Sequence, residues 1–461
     1  MPRRPAAALA TVVALAAARA PGDARAEGEL GLISPRAVGR AGAALVSDDG
    51  PAALFACPAA IARRGERRAQ LGGLFVDDDV WLSTDAHPRI SDRGPSELVP
   101  LAGAVGHLGP LVVGVAIATT ASLDRRLPAP EPGLPADTVS ADFPHRHAAL
   151  EARWTRRTAA AGLALRATEW LALGATATVA RVDAVERRRV WAGFGGRDLP
   201  PGNPVRDVDV TVTGADRLIP GAALGALVAP PEVPLELAVG ASWAGDVHLD
   251  GDATVAWGRT PPPAGSATTA PTVVAVDATA RARVASPLAL HAGVRWVGER
   301  HAIEAGAAAW TYLAAGVPAW HLDGARVVDD TGASAPLDRL PSRIGRRSHG
   351  ALRVSGDLEI LPGFLWLSAG YGWRGAAQAT RATTLGGVDR GGHTLAAGAE
   401  LTAGAATVTV GWSRQLARET VVGAPGLPAD NPFAAGAPAA NLGRHGHSRD
   451  VVAVGLELAM P

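Results

Sequence analysis

The stretch Leu352-Arg353-Val354-Ser355-Gly356-Asp357-Leu358-Glu359-Ile360 alternates residue by residue. Leu352, Val354, Gly356, Leu358 and Ile360 fall on one side, and Arg353, Ser355, Asp357 and Glu359 on the other. Successive side chains of an extended chain point to opposite faces, so this run reads as a strand with one apolar and one polar face. The period recurs along the chain. In 235–243, Leu235, Leu237, Val239, Ala241 and Trp243 share a face. In 274–284, Val274, Val276, Ala278, Ala280, Ala282 and Val284 oppose Asp277, Arg281 and Arg283. Near the end, Val452, Val454, Leu456 and Leu458 repeat the pattern.

Working outward, fourteen candidate strands appear: 69–82, 98–107, 111–121, 148–166, 170–186, 206–228, 234–248, 271–284, 288–298, 348–360, 364–376, 392–402, 405–420 and 449–459. Connections after even-numbered strands are short (108–110, 167–169, 229–233, 285–287, 361–363, 403–404). Those after odd-numbered strands are long, up to 299–347. Short turns on one side and long loops on the other are the signature of an antiparallel barrel in a membrane. A closed barrel also satisfies every backbone group without helices. A secreted β-sandwich or propeller would alternate too, but its strands are shorter and its loop lengths less segregated. The expectation is an all-β fold, a 14-stranded antiparallel transmembrane β-barrel spanning 69–461.

Composition fits this. Basic and acidic residues both number 44, with arginine supplying all the positive charge, so there is no basic excess to bind nucleic acid. A single cysteine, Cys57, excludes an intrachain disulfide framework. Arg3 and Arg4, the apolar run 6–18 and Ala24-Arg25-Ala26 read as a Sec signal peptide over 1–26. Its removal leaves 40 basic against 43 acidic residues. No uncharged apolar run approaches the length of a spanning helix. His145, His147, His445 and His447 read as solvated loop histidines and Arg187-Arg188-Arg189 as a loop able to meet lipopolysaccharide phosphates. No cofactor, metal site or hydrolase motif is indicated, so an enzyme is not expected.

Residues 27–68 do not alternate and are rich in small side chains, as a compact N-terminal hatch threaded into a wide lumen requires. Here the chain resembles the FadL-type family of outer-membrane transporters for long-chain fatty acids and other hydrophobic compounds. Gly39-Arg40-Ala41-Gly42, Asp48-Asp49 and Cys57-Pro58-Ala59 follow the order of that family's hatch motifs, with Cys57 in place of asparagine. Gly214-Ala215-Asp216 and Asp389-Arg390-Gly391-Gly392-His393 extend the likeness over most of the chain. Two further departures are a C-terminus, Leu458-Ala459-Met460-Pro461, without an aromatic residue, and only two tyrosines, which leaves an interfacial girdle to Trp81, Trp154, Trp170, Trp243, Trp296, Trp373 and Trp412.

The resemblance implies passive diffusion of a hydrophobic ligand past the hatch, with Leu30, Leu32 and Ile33 nearest to it. It also implies an inward kink of the third strand, for which Gly114 is the candidate. Arg281, Arg283, Arg295 and Arg353 are candidate lumen charges, one of which would meet a fatty-acid carboxylate. A Gram-negative outer-membrane location, contacts with outer-membrane lipid and lipopolysaccharide, insertion by the barrel-assembly machinery and a monomeric state complete the expectation. The alternative is a general porin or a structural, surface-interaction barrel.

Overall fold

The computed structural model describes residues 33–63, 66–85, 89–92, 94–126, 144–191, 207–257, 276–312, 318–328, 334–342, 347–384, 386–387, 389–428 and 439–460. The signal-peptide reading of 1–26 lies outside them. Among the described residues, fourteen antiparallel strands form one circuit. They are β1 (Arg67–Ser83), β2 (Glu97–Leu108), β3 (Leu111–Arg126), β4 (Glu151–Arg166), β5 (Leu171–Trp191) and β6 (Asp207–Val228). Next come β7 (Leu235–Ala244, continued by Val247–Trp257) and β8 (Val276–Val284, continued by Leu288–Val297). The circuit finishes with β9 (His301–Thr311), β10 (His349–Leu361), β11 (Leu365–Arg374), β12 (Gly392–Ala403), β13 (Ala406–Leu416) and β14 (Gly443–Met460). Pairing of β14 with β1, from Arg67↔Met460 to Ser83↔Arg444, closes the wall. No described helix is long and apolar enough to cross a membrane.

The alternation sorts as a lipid-facing wall demands. Leu352, Val354, Leu358 and Ile360 are exposed on the outside of β10, whereas Ser355 and Asp357 are buried inside. Trp170 and Trp296 are exposed beside short turns, and Trp243, Trp373 and Trp412 are exposed toward the opposite end of the wall. Trp296 stands in register with Leu235, and the run from Leu235 to Trp243 covers about 26 Å of strand. At the strand tilt of about 35–45° usual in such barrels this is about 20 Å of height, the scale of an apolar belt about 25 Å tall between aromatic girdles. Trp154 is not part of a girdle. It is 1% exposed, inside an apolar core with Leu123, Val210, Leu249, Trp320 and Leu340 at the long-connection end.

Two strand assignments differ from the sequence reading, and the differences compensate. Of the expected segments 271–284 and 288–298, the described parts Val276–Val284 and Leu288–Val297 belong to one strand, β8, bent at Ala285–Pro287 where β7 also bends at Gly245–Asp246. Pro287 imitates a turn signal because it cannot donate to a ladder. The ninth strand is His301–Thr311, reached by the short connection 298–300. Its run of alanines gives both faces similar hydrophobicity, so its period is weak.

Arg281 and Arg283 are not lumenal. Their side chains are 77% and 69% exposed, and they pair with Asp250 and Asp246 on the outer surface. Above the bend, β7 and β8 turn Leu249, Ala253, Ala280 and Ala282 inward into the apolar core. Polarity is thereby inverted relative to the belt. A polar exterior is what a strand requires where it faces water instead of lipid.

Gly114 is not a kink. It pairs with Val105 on one side and Gly162 on the other without interruption. A Cβ there would stand 3.2 Å from Leu54 Cδ1, so its smallness makes room for the N-terminal segment. The irregularity of β3 lies at Thr120, where the register with β4 shifts between Thr119 and Ala121.

Candidate functional site: the plugged lumen

Residues 33–63 fold inside the barrel. Ser34 caps a short helix, α1 (Pro35–Gly39), its Oγ accepting from Ala37 N at 3.1 Å. Two short 3-10 turns, Pro51–Phe55 and Pro58–Ala62, follow. The chain reverses after α1 through Ala41 (φ 51°) and Gly42 (φ 83°), the left-handed region in which glycine costs least.

Wall glycines let this segment approach strand backbone directly. A Cβ on Gly174 would lie 2.4 Å from Ala59 N, on Gly370 2.4 Å from Arg40 C, and on Gly411 2.5 Å from Pro35 O. Any side chain there would force the segment away from the wall. Gly39 meets the wall in the same way, its Cβ position 2.9 Å from Gly398 Cα.

A buried ion network fixes the segment laterally. Arg40 Nε donates to Asp357 at 2.7 Å and Arg40 Nη2 to Glu400 at 2.9 Å. Arg36 bridges Glu400 (2.8 Å) and Asp49 (3.1 Å), and Arg68 of β1 reaches the same Asp49 at 2.8 Å. Burial disfavours the charge on Arg36 and Arg40, but Glu400, with Asp49 for Arg36 and Asp357 for Arg40, outweighs it and raises both guanidinium pKa values. Asp48 accepts from Ser34 Oγ. Glu304 of β9 accepts from Val46 N (2.8 Å) and Ser47 N (3.1 Å), so a wall carboxylate stands in for a backbone partner.

Cys57 places its sulfur 3.5 Å from Val239 O and 3.8 Å from Ala226 O, against Gly225, and Pro58 and Ala59 lie against the wall beside it. Burial pushes the thiol up to about 11. Arg295 and Arg353 do point inward. Arg295 meets Glu236 at 3.2 Å, and Arg353 lies 5.7 Å from the centre of the Trp310 ring.

Three adjoining cavities of about 180, 90 and 70 Å³ remain around the plug. The largest lies beneath the apolar core and is bounded by Ile33 and Phe55 of the plug, Trp310 and His291 of the wall, and a polar arc on β3 to β7. Trp310 is held in place by His349 stacked at 4.8 Å and His291 edge-on at 6.0 Å. Of the expected ligand contacts, Ile33 lines two of these cavities, while Leu30 and Leu32 lie outside the described residues.

Ile33 and Phe55 also pack on Leu101 and Ala118. That is where the seam between β2 and β3 ends: the last register pair is Leu101↔Ala118, and Glu97–Pro100 pair only with β1. Pro100 has no backbone N–H to offer a neighbour.

Sequence reasoning did not single out Glu400, Glu304, Phe55 or Trp310. Glu400 was within reach, since it alternates with the outward Leu395 and Leu401 of its strand. Trp310 and Glu304 sit in the alanine-rich strand that reads as loop. The loop histidines are buried instead of solvated: β14 begins at Gly443 and carries His445 and His447 inside, and the turn Pro144–His147 packs His145 on Leu442 O (2.8 Å) and His147 on Arg189 O (3.2 Å). There, His447 Nε2 lies 2.7 Å from Asp78, which also takes Arg125 and Arg449. Arg188 and Arg189 are likewise buried, as β5 continues through Trp191, and Arg189 pairs with Asp209 at 2.8 Å.

No family model matches the chain, and no curated protein matches it. Solved structures do. A Pseudomonas aeruginosa FadL homologue aligns over 94% of this chain and 99% of its own at 14% identity, with a TM-score of 0.71. The Ralstonia pickettii toluene transporter TbuX aligns over 93% of this chain and 98% of its own at 13% identity and TM-score 0.63. The Pseudomonas putida toluene transporter TodX does so over 89% and 94% at 15% identity and TM-score 0.62. The chain therefore has the FadL-type fold, a fourteen-stranded antiparallel barrel with its N-terminal segment packed in the lumen.

Proposed function

We propose that this chain is an outer-membrane channel for small hydrophobic molecules. In this reading, ligand passes from the side of the long connections into the chamber beside Ile33, Phe55 and Trp310. It then leaves sideways where β2 and β3 part above Leu101 and Ala118. The observation that carries the proposal is the pairing of a filled lumen with a largely apolar chamber beside the only stretch where the β2–β3 seam is unpaired. A general porin needs an open polar bore. Here the wall carboxylates Asp357, Glu400 and Glu304 are engaged with the plug. No energy source is called on, since flow down a gradient suffices.

Chamber size narrows the cargo. An apolar cavity of about 150 Å³ accepts benzene, so about 180 Å³ suits a single ring better than an extended long-chain fatty acid. The test is uptake of labelled toluene and labelled oleate by a Gram-negative host lacking its own transporter. Expression should raise toluene uptake. Ile33→Asp, which sets a carboxylate among Phe55, Leu101 and Ala118, should lower it by about tenfold or more through uncompensated charge burial. Unchanged uptake in the variant would remove Ile33 from the route.

A further inference from the structure

The first outward-facing charges above the apolar belt differ round the barrel. On β1 and β14 they are Asp77 and Asp450, in register with each other. On β4, β5 and β6 they are Arg157, Arg181 and Arg217. Arg157 is in register with Arg181. On the next strand Ala180 pairs with Ile219 and Val182 with Asp216, so Arg217 and Leu218 both stand opposite Arg181. Both are exposed, Leu218 by 71%. In a regular strand one of two consecutive residues turns inward, so this bulge is what keeps the arginine and the leucine together on the outer face. Asp216 is committed to the bulge: its carboxylate accepts from Leu218 N at 3.1 Å and from His248 N at 2.7 Å. The run from Trp170 to Arg181 covers about 37 Å of strand, or about 28 Å of height at a tilt of about 35–45°, so the row stands at the outer edge of a belt about 25 Å tall. Asp183, the acid that two of these arginines share, lies farther out. Arg181 donates to it at 2.7 Å and Arg157 stands 3.8 Å from it. A headgroup at the edge of the belt therefore meets guanidinium before carboxylate.

We propose that the row Arg157, Arg181 and Arg217 binds the phosphorylated headgroup of one outer-leaflet lipopolysaccharide molecule, whose acyl chains lie against Leu218 and Val179 below it. The fork of a guanidinium matches phosphate oxygens, and arginines held at an anionic lipid surface attract it electrostatically. Exposure suits the role, since a lipid headgroup approaches from the side and needs no pocket. Val179 is the next outward residue of β5 below Arg181 and is itself exposed, so the phosphate row continues directly into apolar wall. The β14–β1 face presents Asp77 and Asp450 at the corresponding place and repels the same headgroup, which makes the site one position on the wall and not a property of the whole rim. It also differs from the place that the sequence pointed to. Of Arg187, Arg188 and Arg189, the last two are buried. The inference needs a barrel in an outer membrane but no particular cargo.

The test is native mass spectrometry of the full barrel in detergent, titrated with diphosphoryl lipid A and with the same lipid A stripped of its phosphates. Wild-type barrel should retain one diphosphoryl lipid A and bind the phosphate-free form about tenfold or more weakly, as three arginines at an anionic lipid predict. The triple variant Arg157→Gln, Arg181→Gln, Arg217→Gln should bind both forms at that weaker level. The double variant Asp77→Asn, Asp450→Asn, on the other face, should bind diphosphoryl lipid A as wild type does. An excess of inorganic phosphate should not displace the lipid, because it brings no acyl chains to the wall. Heat-modifiable migration on gels checks that each variant is an assembled barrel. If the triple variant does not assemble, the two lipid A forms on wild type decide. Equal binding of those two forms by wild type, or wild-type affinity in the triple variant, overturns the inference and leaves the transport reading standing. Displacement by inorganic phosphate marks a free-anion site and overturns the lipid assignment.

Discussion

Replacing Arg40 with methionine is expected to make the barrel leak small polar solutes. Arg40 is the plug's link to β10 and β12, with both carboxylates within 3 Å and its side chain 6% exposed. Methionine fills much of the same volume but leaves Asp357 buried, with Arg295 at 3.9 Å to compensate. Glu400 retains Arg36. Removing one partner of a buried pair costs about 3–5 kcal/mol, because the remaining charge is stranded. The remaining ties, Glu304 to Val46 and Ser47, Ser355 to Ala43 and Arg63 to Glu236, lie C-terminal to this break, so the stretch around Arg40 loses much of its preference for the lumen. Swelling of proteoliposomes in arabinose should be negligible for wild type and rapid for Arg40→Met. Adding Asp357→Asn should restore part of the seal, since it removes the stranded charge. If the single variant excludes arabinose as well as wild type does, the network is not what holds the plug.

The second large effect concerns the seam between β2 and β3. Extending the register beyond Leu101↔Ala118 would place Pro100 opposite Thr119. Cysteines at both positions, once oxidised, should fasten the strands across the proposed exit. Toluene uptake should then fall by about tenfold or more, as expected when a route requires local separation that a crosslink forbids, and should recover on reduction. Cys57 does not interfere, being buried with its thiol pushed up to about 11. Uptake that is the same in the oxidised and reduced states would place the exit elsewhere.

The barrel was legible because its wall faces two media. Leu352 to Ile360 must present lipid on one side and a plug on the other, and long strands with that period joined by alternately short and long connections mark a membrane barrel. Legibility failed where this contrast disappears. Residues 301–311 put alanines on both faces, so the inward Glu304 and Trp310 were not separated from the outward Ile303. Residues 276–284 lie above the apolar belt, where inside and outside exchange polarity, and Arg281 and Arg283 changed faces with them.

Of the site, the plug was visible as a break in the alternation. Arg295 and Arg353 were visible as polar members of strands. The partners of Arg40 were not, because Asp357 and Glu400 lie more than 300 residues away in sequence. The bulge at Thr120 left no trace either. A single extra residue in β3 changes register without changing composition, whereas Gly114 looked like a kink and is instead a seat for Leu54.

The most direct test sets two fluxes side by side in one strain. A Gram-negative host lacking its own hydrophobic-compound transporter, and carrying a periplasmic β-lactamase, would express the chain. Uptake of labelled toluene at low concentration and hydrolysis of external nitrocefin would then be measured in the same cells. A plugged channel with a lateral exit predicts that toluene uptake rises several-fold, on the order of tenfold with a route through the wall, while nitrocefin hydrolysis stays at the level of the empty vector. Faster nitrocefin hydrolysis with toluene uptake unchanged would mark an open porin and contradict the account.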